Sequence, residues 1–255
     1  RERPFVVMAT RDVGGSPVRR TIDISWLRGA AETYHISADP KDHVFVDIPF
    51  VTADVPNRNM DAFPYRELTA FSPIYGRFGY KTFVGKPTHV DHKNKDPTKA
   101  KGVHYDATLG RVDVRPGHVG YNSGMEPVSL WKVRTLSAFC RQKDPAMVQQ
   151  ILKRQMTGYS MGAMIGYATC SLPWCQAVTT GSKSACPHIK HSKGRVIRGH
   201  ICYDNVHDIN FIEGSGLNQE PADADAYSPD GILTPKQRVA SVADGGIWLF
   251  GTEAA

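Results

Sequence analysis

One stretch of this chain is written plainly as a helix, and it hands over at once to a run that suits a strand. Asp144 is a capping side chain, and Pro145 suits the first helical position. Val148, Ile151, Leu152 and Gln155/Met156 recur at i, i+3, i+4 and i+7/i+8, and Gly158 is a natural stop. Beyond it Tyr159-Ser160-Met161-Gly162-Ala163-Met164-Ile165-Gly166-Tyr167 is small and apolar, and reads as a buried strand.

The rest is mostly strand and turn. Thr21 to Leu27 and His43 to Ile48 alternate polar and apolar residues, which predicts half-buried strands. Val55-Pro56-Asn57-Arg58-Asn59 carries turn chemistry, and Lys81 to Gly85 is a further short strand candidate before a polar, His-bearing stretch from Thr88 to Gly102. The segment from Cys170 to His200 is polar and rich in Cys, His, Lys, Ser and Gly, so it reads as an inserted subdomain. Phe211 to Leu217 returns to strand character, and Pro221 to Ala226 closes it as a loop. From Ser228 onward the chain is polar apart from Ile247-Trp248-Leu249-Phe250, a tail or linker with a docking segment. No internal repeat or low-complexity tract is present.

At 255 residues the chain is long enough for a sizeable core, and 41 % hydrophobic with 22 % charged residues excludes wholesale disorder. No apolar run reaches the ~18 residues of a membrane-spanning helix. The apolar patch from Phe5 to Ala9, bounded by charges, is too short for a secretory signal. The excess of 31 Lys and Arg over 25 Asp and Glu, +6, permits an acidic partner without requiring one, so nucleic acid is not expected. Five cysteines are an odd number in a chain too long to need disulfide staples, which points to a reducing compartment.

Four constellations could carry chemistry. Gly158-Tyr159-Ser160-Met161-Gly162 exposes a serine between glycines, as a nucleophile requires, although Gly-rich serine turns are common and this is not the strand-to-helix elbow. His89-Val90-Asp91-His92 offers an imidazole base or a surface loop; at strand spacing its two histidines point to opposite faces, which argues against a shared metal. Cys170-x4-Cys175-x10-Cys186-x-His188 has the soft donors of tetrahedral Zn²⁺ in a spacing that is not CxxC, with His191, His200 and Cys202 nearby. Four such ligands leave no open position, so the metal would be structural. Glu213, inside an apolar strand, either orients a histidine or lies on an exposed edge.

Taken in order, these segments resemble the prohead (capsid-maturation) proteases of tailed phages, serine peptidases distantly related in fold to the herpesvirus assemblin. The resemblance spans roughly Asp54 to Ala226. It rests on Asn57-Arg58-Asn59 with Phe63-Pro64-Tyr65, on Gly85 to His92 followed by Asp96 to Gly102, on Gly158 to Gly162, and on Phe211 to Leu217 with Pro221-Ala222. Cys186-Pro187-His188-Ile189 is similar to the end of a Cys-rich insert in some large-phage relatives. Two departures stand out: a long stretch between Ser160 and Glu213, and Gly214 and Gly216 in place of bulkier strand residues.

The resemblance implies Ser160 as nucleophile, His92 as base and Glu213 as the acidic third member. It implies cleavage after Glu in scaffold and capsid proteins inside the immature capsid in the host cytoplasm, with self-trimming; Glu253–Ala254 is a candidate site for the last. It needs no catalytic cofactor. The fold expected is α+β: a mostly antiparallel, barrel-like sheet of assemblin type with flanking helices. The protease domain would occupy 1–227, with the Cys/His insertion at 170–202, and the tail 228–255. The barrel comes from the resemblance; the residues themselves indicate several strands and one strong helix. Two other readings remain open: an inactive capsid or scaffold component that keeps this fold, and a zinc-stabilised binding module.

Overall fold

The computed structural model describes residues 5–11, 17–114, 128–156, 158–181 and 183–217. The tail from 228 on, with Glu253–Ala254, lies outside them. In chain order the strands and helices are β1 (Phe5–Arg11), β2 (Pro17–Ile22), α1 (Ile24–Tyr34), β3 (His43–Thr52), β4 (Asp61–Ala62), α2 (Tyr65–Thr69), β5 (Phe71–Ser72), β6 (Arg77–Phe78), β7 (Pro87–Val90), β8 (Gly102–Val114), β9 (Val128–Cys140), α3 (Pro145–Leu152), β10 (Gly158–Cys170), β11 (Val178–Thr179), α4 (Pro187–Ser192), β12 (Val196–Ile197), β13 (His200–Ile201) and β14 (Asp204–Leu217).

The main sheet runs β11-β10-β14-β7-β8-β9-β3, with β4 joining β14 off this path. It is α+β and mostly antiparallel; β4 and β7 are the strands that pair with β14 in parallel. It does not close into a barrel. Among the described residues β3 and β11 are the ends of the ladder and do not pair. Curvature still brings the β3 side chains over β10, where the Phe50 and Tyr159 rings lie 6.5 Å apart. The physical reason is that side-chain packing closes this core, while the backbone of β10 is left with an edge.

Two apolar clusters cover the two faces of β3. Val44, Val46, Ile48 and Phe50 face the main core with Phe139, Tyr159 and Phe211. Phe45, with Leu136 and Ala138, faces Leu27 and Ala31 of α1. Covered on both sides, β3 is buried along its whole length, not half-buried. Its buried Asp47 is held by Arg134 of β9 at 2.8 Å. Phe83 and Phe211 stack with centroids 4.0 Å apart, and truncating either ring would cost about 3–5 kcal/mol.

Several local expectations are corrected. Thr21 to Leu27 is not one strand: Asp23 accepts from the Ser25 and Trp26 N–H groups at 2.8 and 3.1 Å and starts α1. The stripe of Trp26, Leu27, Ala30, Ala31 and Tyr34 then faces the sheet. Lys81 to Gly85 lies largely in a 3₁₀ turn, Gly79–Phe83. That turn supplies Thr82, whose hydroxyl accepts the Phe211 N–H at 2.9 Å. Thus side chains satisfy β14 between β4 and β7. Helix α3 is capped by Asp144 as expected but ends at Leu152, because Arg154 turns left-handed (φ 59°) well before Gly158.

Candidate functional site

Strand β14 is the axis of the site. Ser160 of β10 pairs with Ser215 of β14 on one side, and His89 of β7 pairs with the same Ser215 on the other. Beyond Val90 the chain turns through two consecutive left-handed residues, Asp91 (φ 48°) and His92 (φ 56°). Each such non-glycine residue costs on the order of 1–3 kcal/mol. The turn is held by Asp91 N–H donating to Gly216 O at 3.1 Å and Lys93 N–H to Val90 O at 3.0 Å. The His92 N–H donates to Ser215 Oγ at 3.2 Å.

This bend carries the His92 ring back over β14. Its Nδ1 meets Glu213 Oε1 at 2.6 Å, and the Ser215 hydroxyl donates to Glu213 Oε2 at 2.7 Å. Glu213 is 1 % exposed while the His92 side chain is 41 % exposed, so a buried carboxylate orients a solvent-reaching imidazole. The hydrogen bond that His92 Nδ1–H donates to Glu213 holds the His92 pKa above the ordinary imidazole value, against the opposing effect of burial. Glu213 is therefore a central-strand residue and not an edge residue.

His92 and Ser160 both line one cavity of about 250 Å³, with Asn57, Asn59, Asp61, Tyr159 and Met161 among its other walls. No hydrogen bond joins Ser160 to His92 among the described residues; the serine and the His92–Glu213 pair share a cleft. Past Ser160, β10 departs from the expectation of a buried strand. Met164 is 60 % and Ile165 43 % exposed, because β11 covers only Ala168 and Thr169 of that edge. The other histidine, His89, is 1 % exposed with an unpartnered Nε2, and burial pushes its pKa down. The strand-spacing rule fails for His92 because β7 ends first.

Sequence reasoning missed Ser215 as a partner of Glu213, and His104. The His104 ring is fully buried, donates or accepts through Nδ1 at Ser137 Oγ (2.8 Å), and has its pKa driven to about 3 by burial. It sits against Gly214, where a Cβ would run into its Nε2 and lie 2.6 Å from Phe50 Cζ. At Gly216 a Cβ would lie 2.5 Å from Met156 Sδ. The two glycines are thus demanded by close packing, while the register of β14 against β10 slips between Phe211 and Glu213, just before them. In the sequence Ser215 had one cue: a serine two residues from Glu213 shares its side of a strand.

The inserted segment forms its own small cluster around Cys170, Leu172, Ile189 and Cys202. The end of β10 supplies Cys170, a turn closed by Cys175 N–H on Leu172 O (2.9 Å) supplies Cys175, and the start of α4 supplies Cys186 and His188. The donor atoms of Cys170, Cys175, Cys186 and His188 all lie within 4.8 Å of one another, so this cluster could hold a metal ion. It is separate from the His92 cleft.

No known protein family, curated protein or solved structure matches this chain. No helix among the described residues is long and apolar enough to cross a membrane.

Proposed function

We propose that this protein is a serine endopeptidase of the prohead-maturation type, acting on scaffold and capsid proteins after Glu inside an immature phage capsid, and trimming itself. The observation that carries the reading is the 2.6 Å pair of His92 with the buried Glu213, opening on the cavity that Ser160 also lines.

The mechanism follows from those positions. Glu213 keeps the proton on Nδ1, which leaves Nε2 free to accept. A bound peptide would occupy the cleft and draw Ser160 and His92 into a hydrogen bond, as catalytic contacts often tighten on binding. His92 then takes the Ser160 proton as the hydroxyl oxygen attacks the scissile carbonyl, and returns it to the departing amine. A water repeats the cycle to release the acyl group. Glu213 stabilises the imidazolium formed in each half.

A structural Zn²⁺ at Cys170, Cys175, Cys186 and His188 belongs to the same proposal. Three thiolates and one imidazole in a closed set suit Zn²⁺ held for folding, with no position left for a reacting water. When bound, the ion would tie the end of β10 to α4.

The test is Ser160→Ala against the unchanged chain, incubated with scaffold or capsid polypeptide and followed by mass spectrometry. Cleavage after Glu should fall by roughly 10⁶-fold with the circular dichroism spectrum retained. A Ser160→Ala protein that still cuts would remove Ser160 as nucleophile.

A further inference from the structure

The cleft has an electrostatic problem. Among its described lining residues Asp61 is the one carboxylate, and it stands on the wall of a cavity that, on the reading above, accepts a glutamate side chain. Such a group repels an acidic substrate unless its charge is met.

A residue from the Cys/His insertion meets it. Lys193 Nζ lies 2.7 Å from Asp61 Oδ1 and 2.8 Å from Asp204 Oδ2, one ammonium between two carboxylates from different elements. Its position is built in. Helix α4 starts at Cys186 and His188 of the candidate metal cluster and ends at Lys193. Gly194 then turns at φ 84°, donates its N–H to Cys202 O at 2.7 Å, and packs so close to Met60 that a Cβ would lie 3.3 Å from Met60 Cγ. The Asp204 N–H donates to Met60 O at 3.0 Å, closing the same seam.

The turn that carries Asp61 also offers a donor to the cleft. Asn57 Oδ1 accepts the N–H groups of Asn59 (2.9 Å) and Asp61 (3.1 Å). With its oxygen used within the turn, what Asn57 presents elsewhere is its NH₂ group, which suits a carboxylate.

We infer that Lys193 is a positioning residue for substrate specificity: carried by the Cys/His insertion, it pairs with and fixes Asp61, offsetting one of the two negative charges it bridges, so that the cleft repels an acidic side chain less. This rests on the peptidase reading and adds to it a role for the insertion. Without Lys193, Asp61 and Asp204 face each other unpaired, and the cleft turns against Glu.

The experiment uses the full chain and two peptides that differ only by Glu or Gln at the cleaved residue. Lys193→Met should lower the Glu-to-Gln ratio of kcat/KM by about tenfold or more, mainly through KM. Asp61→Asn in the Lys193→Met background should restore most of that ratio, as should Lys193→Arg. Asp61→Asn alone leaves Lys193 in place and should raise the ratio, which keeps the idea testable if Lys193→Met folds poorly. A ratio unmoved by Asp61→Asn, or a Lys193→Met effect equal for both peptides, overturns the inference while leaving the peptidase intact. An unchanged chain that cuts neither peptide sinks the peptidase reading, and this inference with it.

Discussion

Gly162 of β10 lies opposite Glu213 of β14, and a Cβ on it would stand 2.7 Å from Glu213 Oε1. The carboxylate that orients His92 occupies the space a side chain at 162 would fill. Gly162→Ala should push Glu213 off Nδ1 and lower kcat/KM on the order of 10²-fold, the usual cost of a small misplacement in a catalytic array. Near-normal activity of folded Gly162→Ala would show that Glu213 does not need this seat.

Ser160 and Ser215 face one another across the same ladder but do different things. Ser215 Oγ is already committed, donating to Glu213 and accepting from the His92 N–H. Ser215→Ala should therefore keep part of the activity and shift the pH profile, whereas Ser160→Ala should abolish turnover. Labelling by a fluorophosphonate should map to Ser160 in the Ser215→Ala protein. Labelling at Ser215 in the unchanged chain would reverse the assignment.

A base must be neutral to act. Glu213 raises the His92 pKa, so kcat/KM should fall as pH drops through a value above the ordinary ~6.5 of histidine. Glu213→Gln should move that acid limb down and reduce kcat by about 10⁴-fold, since the imidazole loses its tautomer and its counter-charge. The same raised pKa adds stability that is fully present below ~6.5 and is lost as pH rises through the folded value. An acid limb unmoved by Glu213→Gln would assign it to another group.

Below that pH the buried histidines dominate. Burial lowers the pKa of His43, His89 and His104, the last to about 3. The unfolded chain binds protons at these sites below ~6.5, so unfolding free energy should decline between about pH 6.5 and 3. Urea titrations should show a falling midpoint over this range, and His104→Asn should flatten the slope. Constant midpoints from pH 7 to 4 would contradict it.

Metal analysis of protein purified without chelator should find about one Zn²⁺ per chain, lost in Cys175→Ser. Chelation should lower the Tm and make Cys175 and Cys186 reactive to a thiol reagent. Equal thiol reactivity before and after chelation would argue that these side chains hold no metal.

How much of this was legible depends on whether the cue was local. The Asp144 cap was readable because a cap is a bond between near neighbours, and the Cys/His spacing because its four donors sit within one short segment. The Thr21 to Leu27 alternation misled because seven residues fit both periods, and the Asp23 cap decided for the helix. The long strands β8 and β9 escaped the pattern search. Near Val103 and from Leu136 to Cys140 they lie between α1 and the main core, so no solvent-facing side alternates there.

Residue order alone determined that Ser160, His92 and Glu213 each stand in a strand or strand-end context, and that the Cys/His donors fall together. Only the tertiary structure decided that β14 lies between β10 and β7, and that a left-handed turn at Asp91 and His92 swings the imidazole onto Glu213. Only it brought Lys193 to Asp61, across a sequence separation of 132 residues. The reason is physical: spacing constrains side chains along one element, whereas ladder register and core packing set which elements meet.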